Sequence, residues 1–233
     1  MAVRSIEMIM VIANALEELV EEVVFVGGCA TPLLVEEAAQ PEARMTEDVD
    51  FVIEAAVTQD YYRFAEKIRG KGFREDMHDA IGGGGPLCRW TLDSEGGKLV
   101  VDVMPTEADV LGFANPWYPA AFEASNRVTL PNQTDIRVVA PLYFLATKFN
   151  AWQQRGNNDV AHKDIEDIVF VLEYRPRLAV EFMDELNAEL KGYLKERSNH
   201  LLNLGAFANL LPGMVTEEKG ATLVMNTLRL MAR

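Results

Sequence analysis

An α/β domain over residues 1–140, followed by a helical region over residues 141–233, is the architecture this sequence predicts. Three observations carry it. Short β-branched and aromatic runs at residues 23–26, 49–53 and 99–104 alternate with helical periodicities in the first part. Glycine- and asparagine-rich turns punctuate those runs. After Pro141 the strand signals stop, and apolar residues recur only at helical spacing.

Each element follows from its local pattern. Ile6, Ile9, Met10, Ala13, Leu16 and Val20 share one helical face, so the chain opens with an amphipathic helix. Ala13-Asn14-Ala15 faintly imitates a signal-cleavage site, but Glu7 and the Glu17, Glu18, Glu21, Glu22 series predict a soluble, unprocessed start. Residues 23–26 read as a buried strand running into the Gly27-Gly28 turn. A helix is expected from Ala30 to Ala39, with Pro32 tolerated in its first turn and Pro41 ending it. A strand at 49–53, a helix at 61–69 and an edge strand centred on Phe73 come next. Gly82 to Gly85 form a glycine loop. Residues 89–92 and 99–104 flank Ser94-Glu95-Gly96-Gly97 as a hairpin, and residues 128–130 and 136–139 flank a second turn. Beyond Pro141, Leu142, Leu145, Ala146 and Phe149 share a face, as do Ile165, Ile168, Val169 and Leu172; helical patterns continue through 178–190, 194–204 and 223–230.

Composition excludes several classes. Apolar residues make up 49% and charged residues 25% of the 233, which rules out a disordered or collagen-like chain. With Cys29 and Cys88 as the sole cysteines there is no disulfide framework or Cys-rich zinc module, and a reducing cytoplasm fits. His78, His162 and His200 have no ligand spacing, so a zinc site is not expected. No apolar run approaches the roughly 20 residues of a spanning helix, so no membrane association is expected. Net charge is −14 and uneven: residues 1–140 hold 24 acids and 11 bases, residues 141–233 hold 12 and 11. An acidic face of this kind repels phosphate backbones, so duplex DNA is not an expected partner.

The same carboxylates carry the chemistry. Thr46-Glu47-Asp48-Val49-Asp50-Phe51 opens a strand, and alternate strand residues share a face, so Asp48 and Asp50 point the same way. Two co-facing carboxylates repel unless a cation lies between them, and hard oxygen ligands suit Mg²⁺ or Mn²⁺. Asp102, between Val101 and Val103 on a later strand, completes the candidate metal set. Gly27-Gly28 is read as backbone facing phosphate. Cys29 is read as a small buried residue rather than a nucleophile. The glycine run at 82–85 lacks the Lys-Ser/Thr of a phosphate-binding loop.

Val26-Gly27-Gly28, Arg44-x-Thr46, Asp48-x-Asp50 and Asp102 together resemble the DNA polymerase β-like nucleotidyltransferase superfamily. Lys148-Phe149-Asn150-Ala151-Trp152-x-x-Arg155-Gly156, followed by Lys163-Asp164-Ile165-Glu166-Asp167-Ile168, resembles the helical part of AbiEii-like nucleotidyltransferases, which are often toxins of toxin–antitoxin pairs. The resemblance spans roughly residues 20–175. It implies a mixed sheet with flanking helices and transfer of a nucleoside monophosphate from a nucleoside triphosphate (NTP) to a hydroxyl acceptor, with Mg²⁺ or Mn²⁺ on Asp48, Asp50 and Asp102. It further implies Gly27, Gly28, Arg44, Lys148 and Asp164 as nucleotide-binding, Lys148 also catalytic, a tRNA or other RNA end as acceptor, and a cognate antitoxin as partner. Small-molecule or protein acceptors, and a non-catalytic binding role, stay open at this point. The pattern alone reads Asp164 and Asp167 as helix-surface acids and Lys148 as bordering a packing face. Two departures stand out: Gly-Gly replaces the more frequent Gly-Ser, and nineteen residues separate Gly28 from Asp48.

Overall fold

The computed structural model describes residues 3–36, 43–76 and 88–233. Two compact units form: Met1–Leu33 with Gln40–Ala140, and Leu34–Ala39 with Pro141–Arg233. No helix among the described residues is long and apolar enough to cross a membrane.

The first unit is built on one sheet. Helix α1 (Val3–Leu16) buries Ile9, Ile12 and Leu16, and gives way to a 3₁₀ segment, Glu17–Glu22, where helical periodicity had predicted continuation to Val20. Glu17 takes φ +52°, a left-handed conformation that ends the α-helix there. Strand β1 (Val23–Val26) is wholly buried, as a run of β-branched and aromatic residues without alternation requires. Helix α2 (Gly27–Ala30) and a 3₁₀ turn, Thr31–Leu34, follow at once. The expected helix from Ala30 is thereby corrected: the turn itself is helical and starts at Gly27. Val35 and Glu36 are not helical, and the remainder of that expected span, like Pro41 after it, lies outside the described residues, as do His78 and Gly82 to Gly85.

Strand β2 (Asp48–Ile53), helix α3 (Thr58–Gly70), strand β3 (Arg74–Glu75), strands β4 (Arg89–Ser94) and β5 (Gly97–Pro105), short helices α4 (Ala108–Leu111) and α5 (Tyr118–Glu123), and strands β6 (Asn126–Thr129) and β7 (Asp135–Val138) complete the unit. Both expected hairpins form. The sheet is mixed, in the order β3-β4-β5-β2-β1-β7-β6, with β2 parallel to β5 and β1 parallel to β7. Phe51 links its core, meeting Phe25 and Phe64 edge-on at ring separations of 6.0 and 6.1 Å.

The second unit is helical: α6 (Pro141–Arg155), α7 (Lys163–Tyr174), α8 (Leu178–Asp184), α9 (Ala188–Asn203), α10 (Gly205–Leu210) and α11 (Gly220–Met231). The single helical span expected over 178–190 is two helices. Asn187 accepts hydrogen bonds from the backbone of Glu189 and Leu190, the N-cap that starts α9 and separates it from α8. Buried Glu173 accepts from the backbone of Thr216 and Glu217, which fastens the segment before α11 to α7.

Candidate active site

Sheet register assembles the acids. Along β2, Asp48 and Asp50 occupy alternate positions and so share a face. Across the parallel β2–β5 ladder, Asp50 stands directly opposite Asp102. Three carboxylates from positions up to 54 residues apart therefore meet on one face of the sheet.

Gly27 completes the wall beside them. Its φ is +72°, and a Cβ added there would lie 2.0 Å from Oδ2 of Asp50. Only a residue without a side chain permits that approach. Cys29, two residues on, is buried and donates its thiol to the Val26 carbonyl at 3.1 Å, which is the small-residue role expected of it. Thr46, also buried, places its hydroxyl 2.9 Å from Oδ1 of Asp48 and 3.0 Å from the Asp48 carbonyl oxygen, and so fixes that carboxylate's rotamer. Arg44 donates to the Met45 carbonyl at 3.0 Å.

The cation of this face comes from the chain itself. Arg89 Nε and Nη2 donate to Oδ1 and Oδ2 of Asp102, each at 2.9 Å, and Nη2 is 3.7 Å from Oδ2 of Asp48. A planar guanidinium matched to a carboxylate by two parallel bonds is a strong, geometrically selective pair. Sequence reasoning missed Arg89, although the signal was there. Counting outward from the Glu95-Gly96 turn pairs Ser94 with Gly97 and, five steps further, Arg89 with Asp102. The neighbouring Cys88 thiol is pushed up to about 12 by burial, with the Asp102 and Asp50 carboxylates opposing its ionisation further.

As a metal centre the face fits in chemistry: it carries three hard carboxylates, and the Arg89 guanidinium neutralises only part of their charge. Among the described residues, however, no three acidic, histidine or cysteine side chains are drawn together tightly enough to hold an ion as they stand. Arg89 occupies the span between Asp102 and Asp48.

The helical unit holds a separate charge cluster. Lys148 lies within α6, is 6% exposed, and donates to Asp167 Oδ2 at 2.6 Å and Asp164 Oδ1 at 3.2 Å. Arg155, two turns on, engages Asp164 through Nε and Nη2 at 3.0 and 2.9 Å. His162 Nδ1 accepts from the Asp164 backbone and caps α7. Asp164 and Asp167 are 0% and 2% exposed, so they are not the helix-surface acids that their pattern alone indicated. Lys148 is not a border residue either: α6 is covered at every position from Pro141 to Phe149, and the ammonium turns toward α7. Buried acids inside an amphipathic pattern are legible only when the basic partner on the neighbouring helix is known.

A mixed sheet that sets an Asp-x-Asp strand beside a third acid, with a glycine turn against the first pair, is the arrangement that the resemblance to nucleotidyltransferases implies. The sequence matches the family described as nucleotidyl transferase AbiEii toxin, type IV toxin–antitoxin system, over residues 10–223, and the chain belongs to that family. Its fold is similar to that of an antigenic nucleotidyltransferase-like protein from Paracoccidioides brasiliensis, at TM-score 0.54 and 20% identity, covering 89% of this chain and 92% of that one. JHP933 from Helicobacter pylori aligns at TM-score 0.48 and 14% identity, over 99% and 91% of the two chains. No curated protein matches the sequence significantly.

Proposed function

We propose that the protein moves the nucleoside monophosphate of an NTP onto a hydroxyl acceptor and releases pyrophosphate, with Mg²⁺ or Mn²⁺ held by Asp48, Asp50 and Asp102. The observation that carries this reading is the β2–β5 register, which sets Asp50 opposite Asp102 with Asp48 on the same face. A divalent ion bound there would neutralise phosphate charge and acidify the acceptor hydroxyl. The acceptor oxygen bonds to the α-phosphorus, the bond from that phosphorus to the bridging oxygen breaks, and pyrophosphate leaves with the electron pair. Asp102 takes the acceptor's proton. Gly27 and Gly28 let the main chain approach the phosphates closely, and Thr46 holds Asp48 in place.

For the acceptor we favour an RNA end such as tRNA. The near-neutral balance of residues 141–233 tolerates a polyanion better than the acidic residues 1–140. Membership of a toxin–antitoxin family supports an antitoxin as partner. The test supplies each of four NTPs labelled at the α-phosphate, first with total RNA and then with cell metabolites, in Mg²⁺ and in EDTA. Label transfer and pyrophosphate release are expected only with metal, and Asp50→Asn should abolish both. Undiminished pyrophosphate release in EDTA, or in Asp50→Asn, refutes the assignment; transfer to metabolites but not RNA replaces the acceptor.

A further inference from the structure

We propose that Arg89 is the resident counter-ion of the carboxylate face and that a divalent metal must displace it to bind. The inference rests on the metal site proposed above and concerns how that site is loaded. Both oxygens of Asp102 are engaged by the guanidinium at 2.9 Å. Its Nη2 also lies between Asp102 and Asp48, at 2.9 and 3.7 Å from an oxygen of each. An ion bridging these two acids would need the space that Nη2 fills. Guanidinium and metal therefore compete for the same oxygens.

Arg89 cannot yield by losing its proton, because a guanidinium stays charged at every accessible pH. It has to move, and its side chain, 28% exposed at the start of β4, has a route to solvent. Moving it costs a two-pronged charge-assisted contact, so metal alone binds weakly. The triphosphate of an NTP changes this balance by offering the displaced guanidinium new anionic oxygens. Metal and nucleotide then strengthen each other's binding, by equal factors, as linkage requires. The same contact protects the empty site: without a cation, three carboxylates on one face repel.

Mn²⁺ binding to the full chain tests this without reference to turnover, by calorimetry and by the electron paramagnetic resonance signal of free Mn²⁺. Arg89→Gln should bind Mn²⁺ about tenfold more tightly than the parent, the equivalent of one charged hydrogen-bond pair removed from the competition. Arg89→Lys, which keeps a charge but not the two-pronged contact, should fall between. A non-hydrolysable NTP analogue should tighten Mn²⁺ binding more in the parent than in Arg89→Gln. Equal or weaker Mn²⁺ binding by a folded Arg89→Gln overturns the proposal. If that variant does not fold, parent-like binding by Arg89→Lys overturns it instead. Asp50→Asn separates the two levels: Mn²⁺ binding that survives this change refutes the metal site itself, whereas loss of binding there with no effect at Arg89 refutes only the competition.

Discussion

Replacing Lys148 by methionine keeps the length of the side chain and removes one buried cation from between two buried acids. The contact to Asp167 is 2.6 Å, where Coulomb attraction at an effective dielectric of about 20 is worth roughly 6 kcal/mol. Burying the three charges costs much of that, so the pair's net contribution to stability is far smaller. Removing one partner is different, because the carboxylates stay buried while a counter-charge is gone. The expected loss is about 3–5 kcal/mol. Arg155 offsets part of the deficit at Asp164, but its side chain is 53% exposed and its attraction is screened. Urea titration followed by fluorescence suits the measurement, since Trp152 lies one turn from Lys148 on α6 and donates to the Asp159 carbonyl. The triple variant Lys148→Met, Asp164→Asn, Asp167→Asn should recover part of the loss. A Lys148→Met unfolding free energy within about 1 kcal/mol of the parent would show that the cluster is hydrated in solution and that the argument from burial is wrong.

Gly27→Ala should lower stability by about 1–2 kcal/mol from the left-handed backbone alone, and more from the clash with Asp50; Tm and Mn²⁺ binding should fall together, and an unchanged Tm would contradict the geometry. Alkaline stability provides a second check. Burial raises Cys88 from about 9 to about 12, so in that window the unfolded chain releases a proton that the folded chain keeps. Stability should fall as pH rises through the window, by about 1.4 kcal/mol per pH unit for one such thiol, and Cys88→Ala should flatten the slope. Burial raises the Tyr61 phenol in the same direction, so a residual slope is expected in that variant. If RNA is the acceptor, crosslinks should fall mainly after residue 140 and binding should weaken steeply with salt; crosslinks confined to the first unit would favour a small acceptor.

Strands and acids were legible in this sequence because both rest on local periodicity. Val23 to Val26 has no alternation and is buried on both faces; Asp48 and Asp50 share a face because a strand repeats every two residues. The metal-binding reading came from acids that share a strand face, and that local pattern says nothing of their basic counterpart. Arg89 is an ordinary basic residue until the hairpin register sets it against Asp102, and the β2–β5 pairing, which brings Asp48 within reach, spans some fifty residues that no local pattern encodes. The Lys148 cluster was missed for a related reason. Acids on a periodic helix read as solvated, and only packing of α6 on α7 shows that both are enclosed with a lysine.

The hairpin of β4 and β5 has a bearing on how this protein comes into being on the ribosome. Its two strands are joined by a two-residue turn, so they can pair within microseconds of emerging, long before β5 finds β2 across a much larger loop. Arg89 and Asp102 are already opposite each other in that early ribbon. The third acid is thus delivered to the sheet with its neutralising partner attached, and β5 docks beside Asp48 and Asp50 as a near-neutral strand rather than as a further negative charge. Pulse-labelled hydrogen exchange should find the amides of 89–105 protected together and ahead of 48–53, and in Arg89→Gln the later step should slow while the hairpin forms on time.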